Sequence, residues 1–117
     1  MATAPTINVE LALISFVEDN IHYIYSPALD LYGYDDNDEG AKESFRIALH
    51  DFLSYTTAKK TLHKELLKLG WELKGTKNRT KYVVPQLGAL LEKNKSFKKI
   101  VNNNNFTKFQ EPIALPA

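Results

Sequence analysis

The chain has 117 residues, of which 44% are hydrophobic and 25% are charged, so one domain spanning residues 1–117 with a single apolar core is expected. It has no cysteine and a formal net charge of +1, which excludes a disulfide framework, a thiolate metal site and a uniformly basic nucleic-acid binder. It lacks a run of about 20 apolar residues, and its first residues lack a signal-peptide pattern. We therefore predict a cytoplasmic protein that does not bind membranes.

The charges are distributed unevenly along the chain. Residues 1–57 hold ten acidic and two basic side chains, whereas residues 58–117 hold thirteen basic and four acidic ones. Two interpretations remain open at this point. In the first, the two halves are solvated faces that simply attract each other. In the second, each half has its own partner: a basic protein binds the acidic half and nucleic acid binds the basic half.

Three strands are predicted in the first third of the chain. Residues 7–17 alternate at first and then become apolar on both faces, which is typical of a central or covered strand. A helix is the weaker alternative, because the run Glu-Leu-Ala-Leu is helix-friendly. The polar turn of residues 18–20 suits a hairpin into residues 21–25, where aromatic and β-branched residues favour a second strand. Pro27 ends this strand, and pairing resumes in a third strand, where Gly33 permits a bulge or a tight bend.

An amphipathic helix is predicted to follow, from residue 38 to about residue 52. Its apolar positions recur at helical spacing and draw one stripe; they are Ala41, Phe45, Ala48, Leu49 and Phe52. Asp38 is the predicted N-cap, because its carboxylate can accept from the free amides of the first turn. Residues 54–57 interrupt the periodicity, so we expect the helix to end there.

The second half predicts a helix, a hairpin and a further helix. The next helix runs to about residue 69, and Gly70 is placed as its left-handed stop. Residues 71–74 and 81–84 form a hairpin around a polar turn of residues 75–80. Residues 86–101 form one helix that bends near residue 95.

A last edge strand is predicted near the end of the chain. It carries Phe106, Ile113 and Leu115, and its pairing is expected to be limited by Pro112 and Pro116, because proline has no backbone donor.

One part of this order is similar to a known family. It runs from the acidic turn EDN through the strand IHYIY and the segment SPALDLYGY to an acidic loop and the helix EGAKESFRIAL. The matching positions are Pro27, Leu29 or Leu31, Gly33, Ala41 and Phe45. On these residues, roughly the first half of the chain resembles the HicB-like antitoxins of bacterial HicA–HicB pairs.

The resemblance implies both a fold and a function. We expect an α+β fold whose antiparallel sheet carries its helices on one face. Residues 6–57 would form a HicB-like β-β-β-α core, similar to a truncated ribonuclease H fold, and residues 58–117 a basic C-terminal extension. The resemblance also implies no nuclease activity and a homodimer that binds and neutralises a small HicA-like ribonuclease toxin, with regulation of its own operon as a further role.

Candidate partner-binding residues follow from the acidic half. Tyr32, Tyr34, Asp35 and Asp36 lie in or beside the third strand, and tyrosine is common among the anchor residues of interfaces. We expect them to help cover the basic RNA-binding surface of the toxin.

Catalytic and cofactor motifs are missing from the sequence. The three histidines, His22, His50 and His63, are dispersed over one strand and two helices. The acidic loop of residues 35–40 has oxygen ligands and a glycine, but it lacks the bidentate glutamate of a calcium loop. We therefore predict no enzyme, no metal and no cofactor.

The alternative function is a stand-alone RNA- or DNA-binding regulator. Its candidate residues are Lys93, Lys95, Lys98 and Lys99, because basic residues on a helix can contact phosphates. Only two arginines are present, and arginine is favoured for reading bases. No helix-turn-helix pattern is recognisable, so a solvated lysine face is the favoured interpretation and DNA a possible second partner.

Overall fold

The computed structural model describes residues 6–76 and 79–116 of the chain, and it confirms the α+β class. In chain order the elements are β1 (Thr6–Glu18), β2 (Ile21–Ser26), β3 (Leu31–Asp35), α1 (Asp38–Ala58), α2 (Leu62–Lys68), β4 (Glu72–Thr76), β5 (Arg79–Val83), α3 (Leu87–Lys93), α4 (Lys95–Asn103) and β6 (Phe106–Pro116). Over the described part of the chain, no helix is both long and apolar enough to cross a bilayer.

Four strands form one antiparallel sheet in the order β3-β2-β1-β6. β1 is therefore central, as its apolar residues on both faces predict. It joins β2 through a two-residue turn in which Asp19 and Asn20 have φ of 53° and 65°, the left-handed conformation that a tight hairpin requires. The predicted hairpin is confirmed.

β6 pairs with β1 from Thr6 opposite Pro116 to Phe16 opposite Phe106. The expectation that Pro112 and Pro116 limit this pairing is wrong. β6 lies at the edge of the sheet, and an edge strand leaves half of its backbone groups unpaired, which is the position where proline is tolerated.

One face of the sheet is covered by α1, and Gly33 makes this close packing possible. Gly33 lies in regular register opposite Ile24, so the predicted bulge or bend is absent. A Cβ at Gly33 would overlap the backbone nitrogen of Phe45 and lie 2.5 Å from the carbonyl oxygen of Ala41. Glycine is required because the helix backbone rests directly on the strand.

The other face is covered in part by α4. Tyr25 follows Ile24 and therefore points to the opposite face. Its ring lies 6.3 Å from that of Phe97, and its hydroxyl accepts a hydrogen bond of 2.8 Å from Asn94 Nδ2. The prediction of helices on one face is wrong, because the second face is also rich in large aromatic side chains that need cover.

The small β4–β5 sheet packs at the end of the main sheet where β2 turns into β3. Trp71 is buried, and its Nε1 donates to the carbonyl oxygen of Ala28 over 2.8 Å. The ring of Tyr82 meets Trp71 edge to face at 6.5 Å, and its hydroxyl donates to the carbonyl of Pro116. Of the predicted turn between these strands, Lys77 and Asn78 lie outside the described residues.

The ends of α1 differ from the prediction. Its N-cap is Asn37, whose Oδ1 accepts from the amide of Gly40 over 2.7 Å, and Asp38 is the first helical residue. The predicted end near residues 54–57 is wrong, because α1 continues to Ala58. Thr56 is buried and its hydroxyl donates to the carbonyl oxygen of Phe52 over 2.7 Å, a back-bond that accommodates threonine within a helix.

Two other helix boundaries can be compared with the prediction. Gly70 follows α2 with φ of 95°, which confirms the left-handed stop. The single bent helix over residues 86–101 is instead two helices, separated at Asn94. This residue is extended, and its Oδ1 accepts from the amide of Phe97 over 3.1 Å, so it begins a new helix rather than bending an old one.

Candidate partner-binding surface

An aromatic row crosses the main sheet on the face opposite α1. Its members sit side by side in the strand register, with Phe106 opposite Phe16, Phe16 opposite Tyr23, and Tyr23 opposite Tyr34. The rings of Phe16 and Tyr23 stack at 5.0 Å, and those of Tyr23 and Tyr34 lie 6.2 Å apart. We call these four residues the aromatic row.

The two ends of the aromatic row are open to solvent. Tyr34 is 62% exposed and Phe106 is 42% exposed, whereas Phe16 between them is buried. Neighbouring Tyr32, in the next row, packs its ring 4.4 Å from that of Tyr25. Burial, with a smaller contribution from Asp30, raises the pKa of the Tyr32 hydroxyl.

Two acidic loops meet at the same end of the sheet as the aromatic row. Glu18 ends β1 opposite Ile21, and Asp35 ends β3 opposite His22, so the β1–β2 turn and the β3–α1 loop are neighbours. The carboxylates of these loops, which we call the acidic end, are Glu18, Asp19, Asp35, Asp36, Asp38 and Glu39. The sequence asymmetry thus becomes a localised negative charge in the folded chain.

Little of this charge is neutralised within the molecule. Lys42 lies 3.0 Å from Asp38 and 3.9 Å from Glu39, and its hydrogen bond to Asp38 raises the pKa of the lysine. Among the residues that the structure describes, the other four carboxylates of the acidic end make no ion pair. A cationic partner would therefore be attracted to this end.

The four residues predicted to bind a partner are divided between two sides of the sheet. Tyr32 and Tyr34 share the face that carries the aromatic row. Asp35 alternates to the α1 side, where a Cβ at Gly40 would lie 2.8 Å from the Cβ of Asp35. Asp36 lies in the loop, and its amide donates to Asp35 Oδ1 over 2.7 Å.

Sequence reasoning missed Phe16, Tyr23 and Phe106 as members of this surface. Phe106 begins β6 about 90 residues after Phe16. The sequence does show an aromatic residue in each of the predicted strands. Which of these residues lie side by side depends on the strand register, however, and the sequence does not provide that register.

The four lysines predicted to bind nucleic acid are also divided. Lys95, Lys98 and Lys99 lie on α4 and are exposed, on the side away from the buried Phe97 and Ile100. Lys93 ends α3 and lines a cleft of about 530 Å³, which Asp30 and Lys95 also line.

A second cleft, of about 300 Å³, lies between α4 and the aromatic row. It is lined by aromatic and polar side chains, among them Phe16, Tyr23, Lys99 and Asn103. Within the described ranges, no group of three or more histidine and carboxylate side chains is placed to hold a metal ion.

Comparison with known proteins identifies no relative: no protein-family model, no curated protein and no solved structure matches the chain.

Proposed function

We propose that the chain is a HicB-like antitoxin, which binds a small ribonuclease toxin of the HicA-like kind and blocks it sterically. The observation that carries the proposal is the aromatic row, exposed at its ends Tyr34 and Phe106, beside the acidic end. The β-β-β-α order of residues 6–58, on which the family resemblance rests, supports it further.

The chemistry of this surface suits a basic protein partner. Tyr34 and Phe106 offer large side chains that are partly exposed, and burying them against a partner removes apolar area from water. The surrounding carboxylates attract cations over a distance and repel nucleic acid. A ribonuclease must present cationic groups to RNA, so its RNA-binding surface is complementary to the acidic end.

Binding at this surface would inhibit the toxin without chemistry. When the toxin docks on the aromatic row, its cationic RNA-binding groups would pair with carboxylates such as Asp36 and Glu18. Those groups could then no longer bind the phosphates of RNA. The family resemblance also implies a homodimer, and sedimentation of the purified chain at micromolar concentration tests that part of the proposal by itself.

The experiment uses the product of the small reading frame adjacent to this gene, purified in an inactive form. Calorimetric titration should show binding that Tyr34→Ala weakens about tenfold or more, because an interface anchor is worth at least 1.4 kcal/mol. Asp36→Asn should mainly slow association and reduce its dependence on salt.

Each variant has a matched control on α1, away from the acidic end. Tyr55 is 65% exposed and the side chain of Asp51 is 76% exposed, so Tyr55→Ala and Asp51→Asn make the same chemical changes elsewhere. The proposal fails if the control variants weaken binding as much as the site variants, or if the neighbouring product does not bind at all.

A further inference from the structure

The outer side of α4 carries a compact basic stripe. Lys95, Lys98, Lys99 and Asn102 are all exposed, and their spacings of three, one and three residues place them on one side of the helix. Phe97 and Ile100 are buried on the other side. We call these four residues the lysine stripe.

The position of the lysine stripe is unfavourable for the helix itself. Lys95 is the first helical residue, and the first turn of α4 contains no acidic side chain. Cations near a helix N-terminus oppose the helix dipole, whereas ordinary solvated helices place carboxylates there. Within the described part of the chain, the three lysines form no ion pair, so no internal contact explains their position.

The helix that presents the stripe is fixed to the sheet. Asn94 caps α4 through its Oδ1, and its Nδ2 donates to the hydroxyl of Tyr25 over 2.8 Å. That hydroxyl in turn donates to Asp30 Oδ1 over 2.8 Å. The ring of Phe97 also packs against Tyr25. The lysines therefore project from a helix that is fixed in place, which lowers the entropy cost of binding.

We propose that the lysine stripe binds the phosphate backbone of a nucleic-acid duplex. Lys95 and Lys99 are separated by about 6 Å along the helix axis, a length over which a duplex presents about three to four phosphate charges. Asn102 adds a neutral amide that can donate to a phosphate or a base edge. The stripe contains no residue of the acidic end, although Lys99 and Glu18 line the same cleft. Variants of the three lysines leave every residue of the antitoxin proposal unchanged, so the two proposals are tested separately.

A duplex fits the stripe better than a single strand does. Proteins that hold single strands stack the bases on aromatic side chains next to a basic groove. The only aromatic residue of α4 is Phe97, which is buried. Tyr32 is 40% exposed and lines a cleft together with Lys99, but its ring packs 4.4 Å from that of Tyr25, which the buried side of α4 covers.

The test is fluorescence anisotropy of the full chain with a 20-base-pair DNA duplex, a 20-base-pair RNA duplex and a 20-nucleotide single strand. Three phosphate contacts predict a slope of about −2.7 for log K against log salt, so duplex binding should weaken about 40-fold between 50 and 200 mM salt. The triple variant Lys95→Gln, Lys98→Gln, Lys99→Gln should lose most of this slope.

A second triple variant, Lys59→Gln, Lys64→Gln, Lys81→Gln, removes the same charge from exposed positions elsewhere and should keep the wild-type slope. If both triple variants lost the same part of the salt slope, overall charge would explain the effect and the proposal would be overturned. Absence of duplex binding at 50 mM salt would also overturn it. Tighter binding of the single strand than of either duplex would overturn the choice of ligand. The difference between the DNA and RNA arms identifies which duplex is bound.

Discussion

Replacing Gly33 with alanine tests the contact that joins α1 to the sheet. The new Cβ would overlap the backbone nitrogen of Phe45 and lie 2.6 Å from its Cα. Both atoms belong to the helix backbone and cannot rotate away. The part of α1 that contains the buried residues Ala41 and Phe45 must therefore move away from the sheet by about 1 Å. Forced overpacking costs about 1–3 kcal/mol, and a clash with backbone belongs at the upper end.

We therefore expect Gly33→Ala to lower the free energy of unfolding by about 3 kcal/mol, out of about 5–15 kcal/mol for a domain of this kind. The melting temperature should fall by about 12 °C, at about 4 °C per kcal/mol. Urea unfolding followed by circular dichroism and by Trp71 fluorescence gives the first number, and calorimetry gives the second.

Two other glycines provide a graded control series. The three atoms nearest to a Cβ at Gly40 belong to the side chain of Asp35. Its carboxylate can rotate away but its Cβ, at 2.8 Å, cannot, so Gly40→Ala should be destabilising, but less so than Gly33→Ala, whose added Cβ meets helix backbone. Gly88 lies in α3 with nothing within 4 Å of an added Cβ, and Gly88→Ala should raise stability by about 0.5–1 kcal/mol through helix propensity. If Gly33→Ala were as stable as the wild type while Gly88→Ala was stabilised as expected, the packing of α1 on β3 would be refuted.

Further outcomes follow from the polar contacts of Asn37 and Tyr25. Asn37→Ala removes the cap on the amide of Gly40 and should cost about 1 kcal/mol in the same urea titration; unchanged stability would contradict that cap. Tyr25→Phe leaves Asp30 and Asn94 without their shared hydroxyl and should cost about 1–3 kcal/mol. Burial raises the pKa of the Tyr25 hydroxyl above its ordinary value of 10, so the folded state keeps this proton longer than the unfolded chain. Stability from this group is complete below pH 10 and falls as the pH rises above it. Tyr25→Phe should flatten the alkaline part of the stability curve, and an unaltered curve would exclude Tyr25 as its source.

Local patterns in the sequence were sufficient to predict most of the elements. The alternation and double-sided apolar character of residues 7–17 predicted a central strand, and Gly70 predicted the end of α2, because both depend on periods and backbone preferences within a few residues. The end of α1 was missed because the hydroxyl of Thr56 bonds to the preceding turn of the same helix, where it no longer acts as a breaker.

Long-range pairing was the part that the sequence could not provide. The residues around Gly33 would look the same whether this glycine formed a bulge or allowed a helix backbone to pack against the strand. Only the position of Phe45 in the folded chain distinguishes the two cases. Likewise, the aromatic row exists because β6 returns to lie beside β1, which places Phe106 next to Phe16. No local period contains that information.

The pairing of the first strand with the last one has a consequence for synthesis on the ribosome. β1 is buried between two neighbours, but β6 begins about 90 residues later, so one side of β1 has no strand to bond until β6 has also been translated. Such a late closure slows folding and leaves an apolar strand edge open to other nascent chains. Cells producing this protein quickly would then depend on chaperones that shield β1 during that interval.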